Sequence, residues 1–305
     1  MVSRARQAGY RLLGPRLDYL LHTRPMEWPI VAAHTTVGYL LAVGLGNAFR
    51  SERLGPALLG IGLWVVCLNG GTLALNSAFD RDEGDIAYLR QPPVPPAGLA
   101  WFGLGLMLAG LLGCLALPAP YRVAYALCVA LSVLYSMPPF RLKAVPGADW
   151  VINMWGFGTL TPYAGWAAAG LPVGPVGALI LLSFCPLFAA LYPLTQLYQL
   201  EEDAQRGDRT LALWLGAGRS LVVAAAAALA SFALLGAAAA RSAWPAAERW
   251  RWVPLLVAGA AWLLVLGQWL RRHSRMSSPD HQRGMYRALL AWAVTDLAVV
   301  LAWAT

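Results

Sequence analysis

Two acidic stretches hold the side chains of this sequence that could do chemistry. The first, NSAFDRDEGD (76–85), sets Asn76 and Asp80 four residues apart, so that on a helix both point from one face; Asp82, Glu83 and Asp85 follow around Gly84. The second lies in TQLYQLEEDAQRGDRT (195–210), where Gln196, Gln199 and Asp203 recur at helical intervals with Glu202 alongside. Crowded carboxylates repel one another and resist leaving water, so each cluster needs a cation. Oxygen-only ligands of this kind suit Mg2+, which keeps several waters and shares its shell with substrate phosphates. A calcium loop starting at Asp80 does not fit, because Gly84 falls at its fifth place instead of the sixth and its twelfth is Gln91 instead of Glu. The competing readings are a solvated acidic loop for the first stretch and, for the second, a helix end whose acids pair with Arg206 and Arg209.

A third stretch supplies the opposite charge. YSMPPFRLK (135–143) contains Lys143, the one lysine among 23 Lys and Arg residues. An ammonium is a compact partner for a diphosphate, and Arg141 can add forked hydrogen bonds. On its own the pair could equally be a topology signal. Metal and base on one side of a membrane specify a polyanionic ligand, and a diphosphate fits.

The elements that must position these groups are apolar helices. Of 305 residues, 59% are hydrophobic and 12% charged. Runs long enough to cross the hydrocarbon fall at about 28–47, 56–79, 98–117, 121–137, 149–169, 174–199, 220–240, 252–270 and 286–304. The fold expected is therefore all-α, a polytopic membrane protein of nine transmembrane helices bundled around a central cavity. Residues 1–27 form a cytoplasmic N-terminal segment, and 28–305 one catalytic domain. The net charge of +8 does not indicate nucleic acid, since the arginines lie in short segments between apolar runs. Cys67, Cys114, Cys128 and Cys185 all fall inside spans without a CxxC or a nearby His pair, so neither a disulfide framework nor a zinc site is indicated.

Under this assignment Arg50, Arg53, Arg122, Arg241, Arg249 and Arg251 lie on one side and every other basic residue on the side of the N-terminus. The positive-inside rule puts that second side in the cytoplasm of an inner or plasma membrane, together with both acidic stretches and the Lys143 loop. The acidic stretches are four spans apart, which suggests two halves that each end their second helix in carboxylates.

These three ordered motifs resemble the UbiA-type intramembrane prenyltransferase superfamily. NSAFDRDEGD is similar to its first Asp-rich motif, EEDAQRGDRTLALWLG to its second, and YSMPPFRLK to its tyrosine-to-lysine loop, closest to the chlorophyll-synthase-like branch. The resemblance implies two Mg2+ ions bridging an isoprenyl diphosphate to the two motifs, and transfer of the allyl group to an aromatic or lipid acceptor. Carried over, Asn76, Asp80 and Asp85 hold one metal, and Asp203 with Glu202 or Gln199 the other. Arg141 and Lys143 bind the diphosphate, together with Asn76, Tyr135 and Tyr198. Two departures stand out. Gly84 takes the place of the last aspartate, so Asp82 or Asp85 completes the first site, and Gln199 replaces the leading acid of the second motif and brings no charge.

An apolar cavity would exclude water from the carbocation while Mg2+ and Lys143 stabilise the departing diphosphate. Tyr135, Trp155, Phe157 and Tyr198 are candidates to face the cation. His34, Asn69, Asn153 and Asp296 lie in or near spans, where they either reach the cavity or tie helices together. A terpene cyclase on the same scaffold, with the cation caught by the substrate's own double bond, is the second reading. A transporter would need ionisable groups or broken helices at the midplane, whereas the acids here sit at one surface.

Overall fold

The computed structural model describes residues 4–80, 89, 91–145, 147–201, 204 and 210–305. Two short helices, α1 (Arg4–Leu13) and α2 (Leu17–His22), precede the bundle. The bundle comprises α3 (Trp28–Val43), α4 (Leu54–Asp80), α5 (Leu99–Ala116), α6 (Ala119–Ser136), α7 (148–168), α8 (Pro175–Gln196), α9 (Leu211–Arg241), α10 (Ala246–Arg275) and α11 (Ser278–Trp303). Among the described residues, seven of these helices are long and apolar enough to cross a membrane. α3 is apolar but shorter, ended at Gly44 by a positive φ of 79°, and α7 is composite. The nine-span expectation is thus approximate.

Local sequence sets the helix ends. Pro29 and Pro175 stand in the first turns of α3 and α8, where a missing N–H is harmless. The Thr210 side chain caps α9 by accepting from the Leu213 amide, and Ser277 with Asp280 forms a capping box on α11. Two boundaries differ from the sequence reading. α9 starts at Leu211, nine residues before the expected 220, and takes a non-helical step at Gly216 (φ 73°). α8 stops at Gln196, where 174–199 was expected, and 197–199 form a turn.

Small residues let helices touch. A Cβ on Gly165 of α7 would lie 1.8 Å from the Thr35 carbonyl of α3, and one on Gly38 would lie 1.6 Å from that of Pro162. Only glycine permits this approach, so α3 and α7 share a seam that fixes one wall of the interior.

Two prolines create cross-links. Pro162 has no N–H for the carbonyl four residues back, Gly158, and α7 adopts a π-helical stretch over Met154–Leu160. His34 Nε2 of α3 hydrogen-bonds that Gly158 carbonyl at 3.2 Å. Pro193 likewise frees the Ala189 carbonyl of α8, which accepts from Trp150 Nε1 at 2.9 Å. A second π-helical stretch, Leu63–Asn69, interrupts α4 at the same cavity as the first.

Candidate active site

α4 stays helical to Asp80, so Asn76 and Asp80 emerge from one face of its last turn. The segment after α6 returns across this end and brings Arg141 and Lys143 to it. Lys143 Nζ donates to Asn76 Oδ1 at 3.1 Å and forms an ion pair with Asp80. The Arg141 guanidinium lies 3.5 Å from the same carboxylate. The two cations are not equivalent, because Lys143 is 13% exposed and Arg141 43%. Lys143 is the inner, desolvated charge and Arg141 the rim. Arg141 adopts a left-handed backbone (φ 38°), the kind of local strain found where a loop is held for function.

The fit of a divalent cation can be judged from these contacts. Asn76 and Asp80 converge their oxygens on one point of positive charge, the ammonium of Lys143, which is the arrangement a cation ligand pair requires. Asp82, Asp85, Glu202 and Asp203 lie outside the described residues. Among those described, no three His, Cys, Asp or Glu side chains come together.

The second acidic stretch is anchored differently from the pattern of spacings. Because α8 ends at Gln196, this residue and Gln199 do not share a continuous helical face, contrary to expectation. Gln196 is buried and bridges three elements. Its Nε2 donates to Asp149 Oδ2 at 3.3 Å, and its Oε1 accepts from the Ala212 amide at 3.1 Å. Asp149, buried at the start of α7, also accepts from the Gly147 amide at 3.0 Å. One amide therefore pins both ends of the 197–210 connection to the base of α7. Gln199 itself lines the cavity, as does Tyr198, whose carbonyl accepts from Ser278 Oγ at 2.5 Å.

A cavity of about 320 Å³ lies between α3, α4, α7, α8 and α11. Its polar lining includes Arg24, Glu27, Thr195 and Gln199, and its aromatic lining includes Phe157, Phe188, Tyr192 and Trp292. A side chamber of about 110 Å³ shares Leu73, Asn153, Phe157 and Thr161 with it. Helical stripes connect these spaces to the charged end. On α4, Asn69, Leu73, Asn76 and Asp80 follow at intervals of four, three and four along one face. On α7, Asp149, Asn153, Phe157 and Thr161 recur every four residues, and the last three line both spaces.

Aromatic placement corrects one expectation and extends others. Trp155 is exposed and belongs to neither lining, whereas Phe157 lines both spaces. Tyr135 lines the side chamber, with its hydroxyl 3.3 Å from that of Tyr192. Sequence reasoning missed Arg24, Glu27, Phe188, Tyr192 and Trp292. Arg24 is buried, its Nε without a partner among the described residues, and burial raises the Glu27 carboxyl above the ordinary carboxylate range while Arg24 pulls it back. Both precede α3, where an arginine reads simply as a topology signal.

The four polar residues left open by the sequence now divide. His34 Nδ1 meets Asp296 Oδ1 at 3.0 Å, so this pair ties α3 to α11, while the His34 ring stacks edge-on against Phe184 and Trp292 at the cavity wall. Asn69 and Asn153 face the interior spaces.

The sequence model of the UbiA prenyltransferase family matches residues 31–292. Among curated proteins, a lycopene elongase/hydratase of Haloferax volcanii is 28% identical over 219 residues, covering 68% of this chain and 68% of that protein. One of the same name from Haloarcula japonica is 28% identical over 215 residues, with 66% and 68% covered. The fold is similar to that of a UbiA homologue from Archaeoglobus fulgidus bound to DMAPP and Mg2+, with a TM-score of 0.67, 20% identity, and 93% of this chain and 99% of that one covered. A digeranylgeranylglyceryl phosphate synthase structure gives a TM-score of 0.69 at 16% identity, with 93% and 97% covered.

Proposed function

The chain belongs to the UbiA prenyltransferase family, and from that premise we propose that it transfers an isoprenyl group from a prenyl diphosphate to an alkene-bearing lipid acceptor inside the membrane. One observation carries the reading. Asn76 and Asp80 converge on Lys143 at the head of a helical stripe that runs down into an aromatic-lined cavity. A charged headgroup fits the first part and a hydrocarbon the second.

In this reading Asn76 and Asp80, with Asp82 or Asp85, hold one Mg2+, and Asp203, with Glu202 or Gln199, holds the other. Bound there, the metal supplies charge neutralisation of the diphosphate as it departs. Lys143 grips a diphosphate oxygen from within the site and Arg141 from its rim, each favouring the leaving group as its charge grows. The walls keep bulk water from the allyl cation, and the faces of Phe157, Phe188, Tyr192 and Trp292 stabilise it. Two relatives that carry the name lycopene elongase/hydratase support an apolar polyene as acceptor in preference to an aromatic acid. The excess of arginine on the side of the N-terminus supports a mouth that opens to the cytoplasm.

The test is product analysis of the purified protein with prenyl diphosphates of several lengths, with and without Mg2+, and with polyene or aromatic acceptors. Mg2+-dependent alkylation of the polyene is expected. A hydrocarbon product formed without acceptor would replace transfer with cyclisation, and alkylation confined to the aromatic would overturn the acceptor class.

A further inference from the structure

Asn69 is the last residue of the π-helical stretch in α4 and forms part of the wall of the side chamber. It is 4% exposed, and neither its Oδ1 nor its Nδ2 has a hydrogen-bond partner among the described residues. Leaving such a group unpaired in the interior costs about 1–3 kcal/mol. The polar neighbours that could relieve it are engaged elsewhere. Thr72 Oγ1 and Ser132 Oγ bond one another at 2.8 Å, and Asn153 donates its Nδ2 to the Asp149 carbonyl at 2.8 Å. The Tyr135 hydroxyl meets that of Tyr192 at 3.3 Å, and Thr161 Oγ1 accepts from Trp64 Nε1 at 3.3 Å while donating to the Gly156 carbonyl at 2.9 Å; Leu68, Leu131 and Ile152 offer carbon surface.

The position of Asn69 adds meaning. It lies seven residues before Asn76 on the same face, which is two turns and about 10 Å below the headgroup cluster. A hydrocarbon laid along this stripe would pass an unsatisfied amide. A hydroxyl oxygen both accepts and donates, so a single one satisfies both halves of the amide. A chamber of about 110 Å³ has room for that hydroxyl and the few carbons bearing it.

We propose that the side chamber is a subsite for one hydroxyl oxygen, held by the Asn69 amide beside the hydrocarbon path. What the subsite does in turnover rests on the transfer reading. The oxygen comes either from an acceptor that already carries a hydroxyl or from water. In the second case the C1–O bond of the donor breaks with its electrons going to diphosphate. The π pair of the acceptor alkene forms the new C–C bond, and a lone pair of the water forms a C–O bond to the tertiary cation that results. The proton released ends on the diphosphate, and the product is an alcohol instead of an alkene.

Binding to the full-length protein, without donor, tests the subsite independently of catalysis. The probes are the tertiary isoprenoid alcohol linalool and the hydrocarbon myrcene, whose partition into detergent cancels when wild type and variant are compared. Wild type should prefer the alcohol, and Asn69→Leu should lose that preference by about fivefold, as expected for one net hydrogen bond. An alcohol-to-hydrocarbon preference that is the same in both proteins would overturn the subsite. Should the leucine variant not fold, Asn69→Ala answers the same question. Turnover in 18O water then separates the sources. Label in the product assigns the oxygen to water, and an unlabelled alcohol assigns it to the acceptor. Absence of transfer to any acceptor would remove the transfer reading while the binding result stood.

Discussion

The ends of α4 and α8 look alike in sequence, each an amide followed by acids, yet they are put to different uses. At the end of α4, Asn76 and Asp80 face the loop cation Lys143. At the end of α8, Gln196 faces inward and holds the backbone of α9 and the carboxylate of Asp149. What differs is the partner. A cationic loop arrives opposite the first end, whereas the second end meets a buried carboxylate and the Ala212 amide in the first turn of α9. The spacing of polar residues on a helix says which of them share a face, and the element packed opposite decides what that face does.

Substitutions at the two ends should therefore fail in different ways. Asp80→Ala should give the largest effect, a loss of about a thousandfold in kcat with the fold intact, because in the proposed reaction it removes a carboxylate that would hold the metal on the leaving group. A turnover within a few-fold of wild type would break the contrast. Lys143→Met should lower kcat by about a hundredfold, with Lys143→Arg recovering part of it. Gln196→Leu should act through structure instead. It leaves Asp149 Oδ2 and the Ala212 amide without this partner, destabilises by about 2 kcal/mol, and lowers kcat/KM by about tenfold. Thermal unfolding separates the two ends, since the Gln196 variant should melt earlier and the Asp80 variant should not.

The smallest effect concerns the N-terminal helices, which hold the chain that follows the first acidic stretch. Arg6 Nη1 donates to the Gln91 carbonyl at 2.7 Å, and His22 Nε2 donates to that of Pro93 at 3.2 Å. Burial holds the His22 pKa below its ordinary 6.5 against the hydrogen bond to Pro93, which raises it, while Arg24 lowers it further and Asp18 opposes this. The unfolded chain then binds the extra proton more readily, so stability rises with pH through this range. The contribution of His22 is intact above about 6.5 and is lost as the pH falls toward the lowered value. Protease accessibility of 91–98 should rise a few-fold on acidification in wild type and stay flat in His22→Gln. Equal responses in both would assign the effect to other groups.

Much of the bundle was legible because apolar runs report directly on burial in a bilayer. Asn76, Asp80, Arg141 and Lys143 were legible because local periodicity and charge point to one another across a short list of loops. The end of α8 was not, since apolar composition continues past Gln196 through Leu197 and Leu200, and the bonds of Gln196 to Asp149 and Ala212 join residues 47 and 16 positions away. The π-helical stretch of α7 follows from Pro162, but its use by His34 depends on an α3–α7 seam that forms only in three dimensions. His34 and Asp296 are 262 residues apart, so their pairing had no local signal. Arg24 and Glu27 were hidden because a charge just before a span usually marks topology.

The central claim is that carboxylates from both stretches act on one diphosphate. Its most direct test is an experimental structure with a prenyl diphosphate and Mn2+, in which anomalous scattering locates each ion. Two ions on a single diphosphate are expected, one bound by Asp80 and the other by Asp203. An Asp203 carboxylate on the opposite face of the membrane, or one that binds neither ion, would contradict the claim.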